Sequence, residues 1–193
     1  MQMKDMLFAA MMAAITAVMG LFPGIPLPGG VPIVLQNMGI MLAGSLLGKR
    51  NGALAILLFV LLVAAGLPLL SGGRGGLSVL AGPSGGYIAS WPIMAFLIGW
   101  LAEKGPRTFR RLFLANLAGG LFNYACGTAW LAMVAHLSLP QALLAGVLPF
   151  LPGDLIKMAA AAFLAVGIHR AAPHLFSPAN GKAQPPQPTE PTQ

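Results

Sequence analysis

Six apolar runs, each near the roughly 20 residues that cross the hydrocarbon of a bilayer, fill most of this chain and decide what it can fold into. They lie at about Met6–Phe22, Ile33–Leu47, Gly52–Leu67, Gly86–Ala102, Phe109–Leu137 and Gly153–Ile168, with the second and last on the short side. Hydrophobic residues are 57% of the 193 and charged residues only 8%, against about 25% charged in an average soluble domain. No water-soluble fold of this size hides so much apolar surface, so lipid must cover part of it. Within lipid the backbone has to satisfy its own hydrogen bonds, and no ten-residue alternation suggests a barrel. The expected fold is therefore an all-α integral membrane protein, a six-transmembrane-helix bundle over residues 1–176. A short apolar piece, Leu139–Leu148, reads as an extra helix near the surface. The Pro/Gln/Thr-rich residues 177–193 read as a disordered tail.

The net charge of +7 invites a nucleic-acid reading, but the basic residues are scattered between apolar runs and form no continuous stripe. Topology explains them better. Lys4, Lys49, Arg50, Lys104, Arg107, Arg110, Arg111, Arg170 and Lys182 all fall on one side of a six-span chain. The positive-inside rule makes that side cytoplasmic, with both termini inside a multi-pass protein of the cytoplasmic membrane. Lys4 and the Ala-rich Leu7–Met19 run also look like a signal peptide, but Asp5 and the immediate further spans favour a first membrane helix. The single cysteine, Cys126, lies within an apolar run and excludes an internal disulfide.

Two cations break the topological pattern. Arg74 lies in the loop after the third run, and Lys157 near the start of the last, three residues from Asp154. Three apart on a helix is the same face, so Asp154 and Lys157 meet each other or a shared guest. A charge at membrane depth costs roughly 2.5–3.5 kcal/mol on insertion scales, which a structural ion pair or a polar binding site would each explain. The connections on that side point to a site. Residues 23–32 contain seven Pro or Gly in ten positions, and residues 66–86 ten in twenty-one. Irregular backbone at membrane depth survives where it lines a cavity, although the first loop also reads as an ordinary tight turn.

A pocket under these loops would be lined by Arg74, Tyr87, Asp154 and Lys157, with Gln36 and Asn123 beside them. Arg74 alternatively snorkels at the interface, and Tyr87 and Trp91 stand where an aromatic belt would place them, Trp91 more so. Asn116, Gly120, Asn123 and Gly127 form one helical stripe that reads chiefly as helix packing. Ala9, Ala13 and Ala17, and the parallel pair Ala10 and Ala14, make flat faces for another helix, in the bundle or in a partner.

No phosphate-binding G-x-x-x-x-G-K-[ST] occurs, so this chain does not hydrolyse ATP by itself, and no Cys/His cluster has metal spacing. Gly82-Pro83-Ser84-Gly85 matches the motif around the serine of rhomboid-type intramembrane proteases. Such a serine needs a histidine base, and His136 and His169 are badly placed for it. Ser84 reads more simply as a helix N-cap.

The chain resembles the BioY family, the biotin-specific substrate-binding (S) components of energy-coupling factor (ECF) transporters, over nearly its whole length apart from the tail. The likeness rests on Pro32-Ile33-Val34-Leu35-Gln36, Leu42-Ala43-Gly44-Ser45-Leu46-Leu47-Gly48 and Gly72-Gly73-Arg74-Gly75-Gly76. It continues with Gly82-Pro83-Ser84-Gly85-Gly86-Tyr87 and ends with Gly153-Asp154-Leu155-Ile156-Lys157. Ser84 departs from an expected threonine but keeps the hydroxyl. The resemblance implies an outward pocket closed by loops, and no enzymatic activity. It also implies that Ala9, Ala13 and Ala17 dock on a transmembrane coupling subunit powered by two cytoplasmic ATPases. Some family members occur without that dedicated module.

Biotin offers a ureido ring with two N–H donors and a carbonyl, an apolar thioether ring, and a carboxylate tail. Each polar atom left unpaired in a buried site costs about 1–3 kcal/mol. Asp154 suits the ureido N–H groups, Lys157 the ureido carbonyl or the tail, and Arg74 in its glycine loop the carboxylate. An S component for another small vitamin shares the scaffold and is the alternative. A purely structural membrane protein would need no converging Asp, Lys and Arg.

Overall fold

The computed structural model describes residues 3–172, so the tail expected at 177–193 lies outside the described residues. Seven helices follow in order: α1 Met3–Met19, α2 Gln36–Ala64, α3 Leu77–Ala81, α4 Gly85–Glu103, α5 Phe109–Val134, α6 Leu139–Gly146 and α7 Leu151–Ala171. The described residues contain no strand, only isolated antiparallel bridges pairing Ile25 with Ile33 and Leu70 with Arg74. Four helices, α2, α4, α5 and α7, are long and apolar enough to cross a membrane.

The second and third apolar runs are the two arms of α2, and Gly48 separates them. Its φ of 78° and ψ of −175° belong to a region that side chains avoid, so glycine is required there. The chain reverses at this point. A Cβ placed on Gly52 would lie 2.6 Å from the carbonyl oxygen of Ala43, whereas nine residues of continuous helix would separate them by about 13 Å. The same end holds a close crossing, where the Gly99 Cα faces the backbone of Gly48 and Lys49 with no room for a methyl group. Around it Lys49 pairs with Glu103 at 3.1 Å, and Arg107 donates to the Leu46 carbonyl and contacts His169. The cations of the short connections thus gather at one end of the bundle.

Apolar side chains point both inward and outward. Ile40, Ile56, Phe59, Ile98 and Leu112 are fully buried, while Leu61, Ile93, Leu121, Ile156 and Phe163 are exposed. A helix apolar on all sides needs lipid on the face that protein does not cover. The Asn116 stripe packs as expected. Asn116 accepts from Ser45 Oγ and donates to the Met158 carbonyl, Gly120 faces Met158, and Gly127 lies against the Tyr87 ring.

Two local starts follow from sequence chemistry. Thr108 caps α5 by accepting from the Arg111 amide, and Ser138 with Gln141 closes a reciprocal capping box at α6. The helix α6 matches the short piece expected at Leu139–Leu148, whereas α3 was hidden in a Gly-rich loop.

Of the two uses expected for the Ala9, Ala13 and Ala17 face, packing within the bundle is the one seen: Ala9 and Ala13 are buried against the core, and Ala17 packs on it partly buried. The exposed side carries Ala10 and Ala14, with Leu7, Met11, Ile15 and Val18 around them.

Candidate functional site

At the end of the bundle opposite Gly48, five segments converge: the 23–35 connection, the start of α2, the 66–76 loop, the start of α4 and the start of α7. Together with the middle of α5 they surround a cavity of about 480 Å³, counting its mouth. Its apolar wall includes Val31, Leu70, Ile88, Trp91 and Phe150; its polar lining is Gln36, Asn37, Arg74, Ser84, Tyr87, Asn123, Tyr124 and Asp154. An apolar wall with a few convergent polar groups is the kind of lining that holds a small organic ligand.

Asp154 is buried at 3% exposure in the first turn of α7, where the helix N-terminus favours a carboxylate. Its Oδ2 accepts from the Tyr124 hydroxyl at 2.6 Å. Its Oδ1 lies 2.5 Å from the Lys157 ammonium. That ammonium is the partner of Oδ1 among the described residues, so both carboxylate oxygens are engaged, one by a cation and one by a hydroxyl. Lys157 also donates to the Val34 carbonyl at 2.9 Å. It is not among the residues that line the cavity. The expected acid–base pair is therefore present, but only its acid reaches the cavity.

Gln36 lines the cavity with its amide fully engaged by backbone. Nε2 donates to the Leu69 carbonyl at 2.9 Å and to the Thr16 carbonyl at 3.3 Å, while Oε1 accepts from the Ser71 amide at 3.1 Å. Asn123 gives its two amide hydrogens to the Tyr87 carbonyl and to Ser90 Oγ, which leaves its carbonyl oxygen as the atom for the cavity. The Tyr87 hydroxyl donates to the Gly146 carbonyl at 2.8 Å and meets Thr128, so it ties α4 to α5 and α6 while its ring forms wall. Arg74 lines the mouth, its Nε donating to the Ser71 carbonyl at 3.0 Å within the bridge that joins Leu70 and Arg74.

Trp91 corrects the belt expectation: it is 4% exposed, stacked against Phe59 at a tilt, and forms cavity wall. Ser84 occupies the N-cap position of α4 but makes no capping bond with its side chain, and the residue lines the cavity. Among the described residues neither His136 nor His169 lines that wall, and His169 is bonded at the opposite end, so neither stands as a base for Ser84. Tyr124 and Asn37 were missed by sequence reasoning. The signal for Tyr124 was its place four residues after Gly120, beside Asn123 on the stripe; Asn37 carried none beyond following Gln36.

Comparison with known proteins points one way. A family model described as the BioY family matches residues 1–174. The biotin transporter BioY of Rhizobium etli is 43% identical over 173 residues, covering 85% of this chain and 92% of that protein. The probable biotin transporter BioY of Bacillus subtilis is 43% identical over 170 residues, covering 86% and 91%. Among solved structures, the S-component for biotin from an ECF-type ABC transporter superposes with a TM-score of 0.81 at 35% identity, covering 86% of this chain and 91% of that one. A helical bundle with a polar cavity under glycine-rich loops, a matching family model over nearly every residue and relatives this similar along most of their length lead to one assignment: the chain belongs to the BioY family.

Proposed function

We propose that this chain binds biotin in the Asp154 cavity and serves its uptake across the cytoplasmic membrane as the S component of an ECF-type transporter. The single observation that carries the reading is a buried carboxylate, Asp154, on the wall of a cavity that Arg74 also lines. The Asp154 carboxylate and the Asn123 carbonyl oxygen supply acceptors for the two ureido N–H groups. The Asn37 amide or the Ser84 hydroxyl supplies the donor for the ureido carbonyl. Trp91, Ile88 and Phe150 cover the thioether ring, and Arg74 takes the carboxylate with its guanidinium. Lys157 neutralises Asp154 and holds the 23–35 connection through Val34.

Counting the two arms of α2 separately gives six crossings with α1, α4, α5 and α7. The basic end around Lys49, Arg107 and Arg111 then faces the cytoplasm with both termini, and the cavity opens outward. The coupling subunit, itself driven by two ATPases where the module is present, docks on the Ala10–Ala14 side of α1, where small residues leave a flat apolar face.

Calorimetric titration of the protein in nanodiscs with biotin, riboflavin and thiamine tests the reading. Biotin alone is expected to bind tightly, and Asp154→Asn to weaken it by at least tenfold. Equal or absent binding of all three vitamins refutes it.

A further inference from the structure

The amide of Gln36 makes three hydrogen bonds to backbone groups of two segments. It reaches the last turns of α1 through the Thr16 carbonyl, and the 66–76 loop through both the Leu69 carbonyl and the Ser71 amide. Donating twice and accepting once from one planar group is something an amide does and a carboxylate or an aliphatic chain cannot. The residue is 1% exposed, so no water stands in for a lost bond.

The bonds run on from there. The Ser71 amide is fixed by Gln36, the Ser71 carbonyl accepts from Arg74 Nε, and Ser71 Oγ donates to the Phe22 carbonyl at 2.8 Å just beyond α1. Gly20 shows how tightly this is seated: a Cβ there would lie 2.2 Å from the Leu69 carbonyl oxygen and 2.7 Å from Gln36 Nε2. In contrast, Gly72 and Gly73 have nothing within 4 Å of such a Cβ, so the loop beyond Ser71 is held from its Gln36 side and open on the other.

We propose that Gln36 is a positioning residue and not a biotin ligand: it fixes the Ser71–Arg74 turn against α1 and so sets the Arg74 guanidinium where the ligand's carboxylate arrives. The inference rests on biotin being the ligand and on Arg74 meeting its tail. Gln36 then affects binding through the carboxylate alone: the Leu70–Arg74 backbone pairing shapes the turn, and Gln36 with Ser71 fixes that turn against α1.

Gln36→Met keeps the length and removes every polar bond. Titrating wild type and variant with biotin and with biotinamide, whose tail is uncharged, separates the roles. The variant is expected to bind biotin about tenfold more weakly, to bind biotinamide as the wild type does, and to add nothing to an Arg74→Ala background. If Gln36→Met does not yield folded protein, Ser71→Ala, which removes only the bond to Phe22, is expected to show the same biotin-selective loss at about threefold. Equal losses for both ligands, or additivity with Arg74→Ala, overturn the positioning role while leaving the biotin reading intact. A wild type that binds neither ligand overturns the biotin reading itself, and the inference with it.

Discussion

Replacing Lys157 by methionine separates an ion pair that serves the fold from one that serves the ligand. Asp154 and Lys157 have side chains 4% and 11% exposed, with 2.5 Å between charged atoms. Removing one partner of a buried pair leaves an uncompensated charge and costs about 3–5 kcal/mol. The Val34 carbonyl also loses its donor, adding about 1 kcal/mol. The Tyr124 hydroxyl bonds Asp154 Oδ2 with or without Lys157, so Lys157→Met is expected to destabilise the protein by about 4–6 kcal/mol. Adding Asp154→Asn removes the orphaned charge while keeping an acceptor for Tyr124. Exchanging a whole buried pair for neutral groups of similar size is often near neutral, so the double variant should recover most of the lost stability. It should not recover binding, because the guest loses a charged acceptor worth about 1.5–3 kcal/mol, or 10- to 150-fold in Kd. Reversible denaturant unfolding in mixed micelles followed by tryptophan fluorescence reads the first quantity, and biotin titration the second. A double variant as unstable as Lys157→Met would refute the ion-pair argument. One that binds biotin like the wild type would show that Asp154 is not part of the site.

Tyr124→Phe removes the 2.6 Å bond that orients the carboxylate, and is expected to raise the biotin Kd about tenfold with a stability loss near 1.5 kcal/mol; an unchanged Kd by titration would make that bond irrelevant to the ligand. Gly48→Ala forces a methyl group into φ +78° and to within 2.3 Å of Glu103 Oε1. It should cost about 1–3 kcal/mol in the same unfolding assay yet leave biotin affinity unchanged, since the reversal sits at the far end from the cavity.

How much of this was legible in the sequence depends on what signal each feature carries. Apolar runs and their breaks were readable because turn chemistry punctuates them: the reversal at Gly48 falls between the expected second and third runs, and Ser138 to Gln141 announces α6. Asp154 and Lys157 stood out because charge is expensive where they lie. The faces of α1 were not readable. Ala9, Ala13 and Ala17 lie one residue, about 100° of rotation, from Ala10 and Ala14. Both sets are small and apolar, and only packing against α2 decides which is buried. Trp91 and Tyr124 are amphipathic residues equally at home in a belt or a cavity wall, and nothing local distinguishes the two.

The cavity's polar groups divide by whether their bonds are already spent, and that division fixes what the site can select. Gln36, the Tyr87 hydroxyl and Lys157 are bonded to backbone carbonyls or amides, so they set shape and hold loops. On the proposed reading the Asp154 carboxylate, the Asn123 carbonyl and the Arg74 guanidinium meet the guest. Acceptors toward the interior and a cationic fork at the mouth suit a ligand with donors at one end and an anion at the other. A guest lacking the donors leaves the Asn123 carbonyl oxygen desolvated and adds nothing to the Lys157 and Tyr124 contacts of Asp154, a penalty that discriminates more steeply than an added apolar contact. Selectivity should therefore reside in Asp154 and Asn123, and retention in Arg74. Removing the ureido N–H groups from the ligand should abolish binding in titrations where amidating its tail only weakens it.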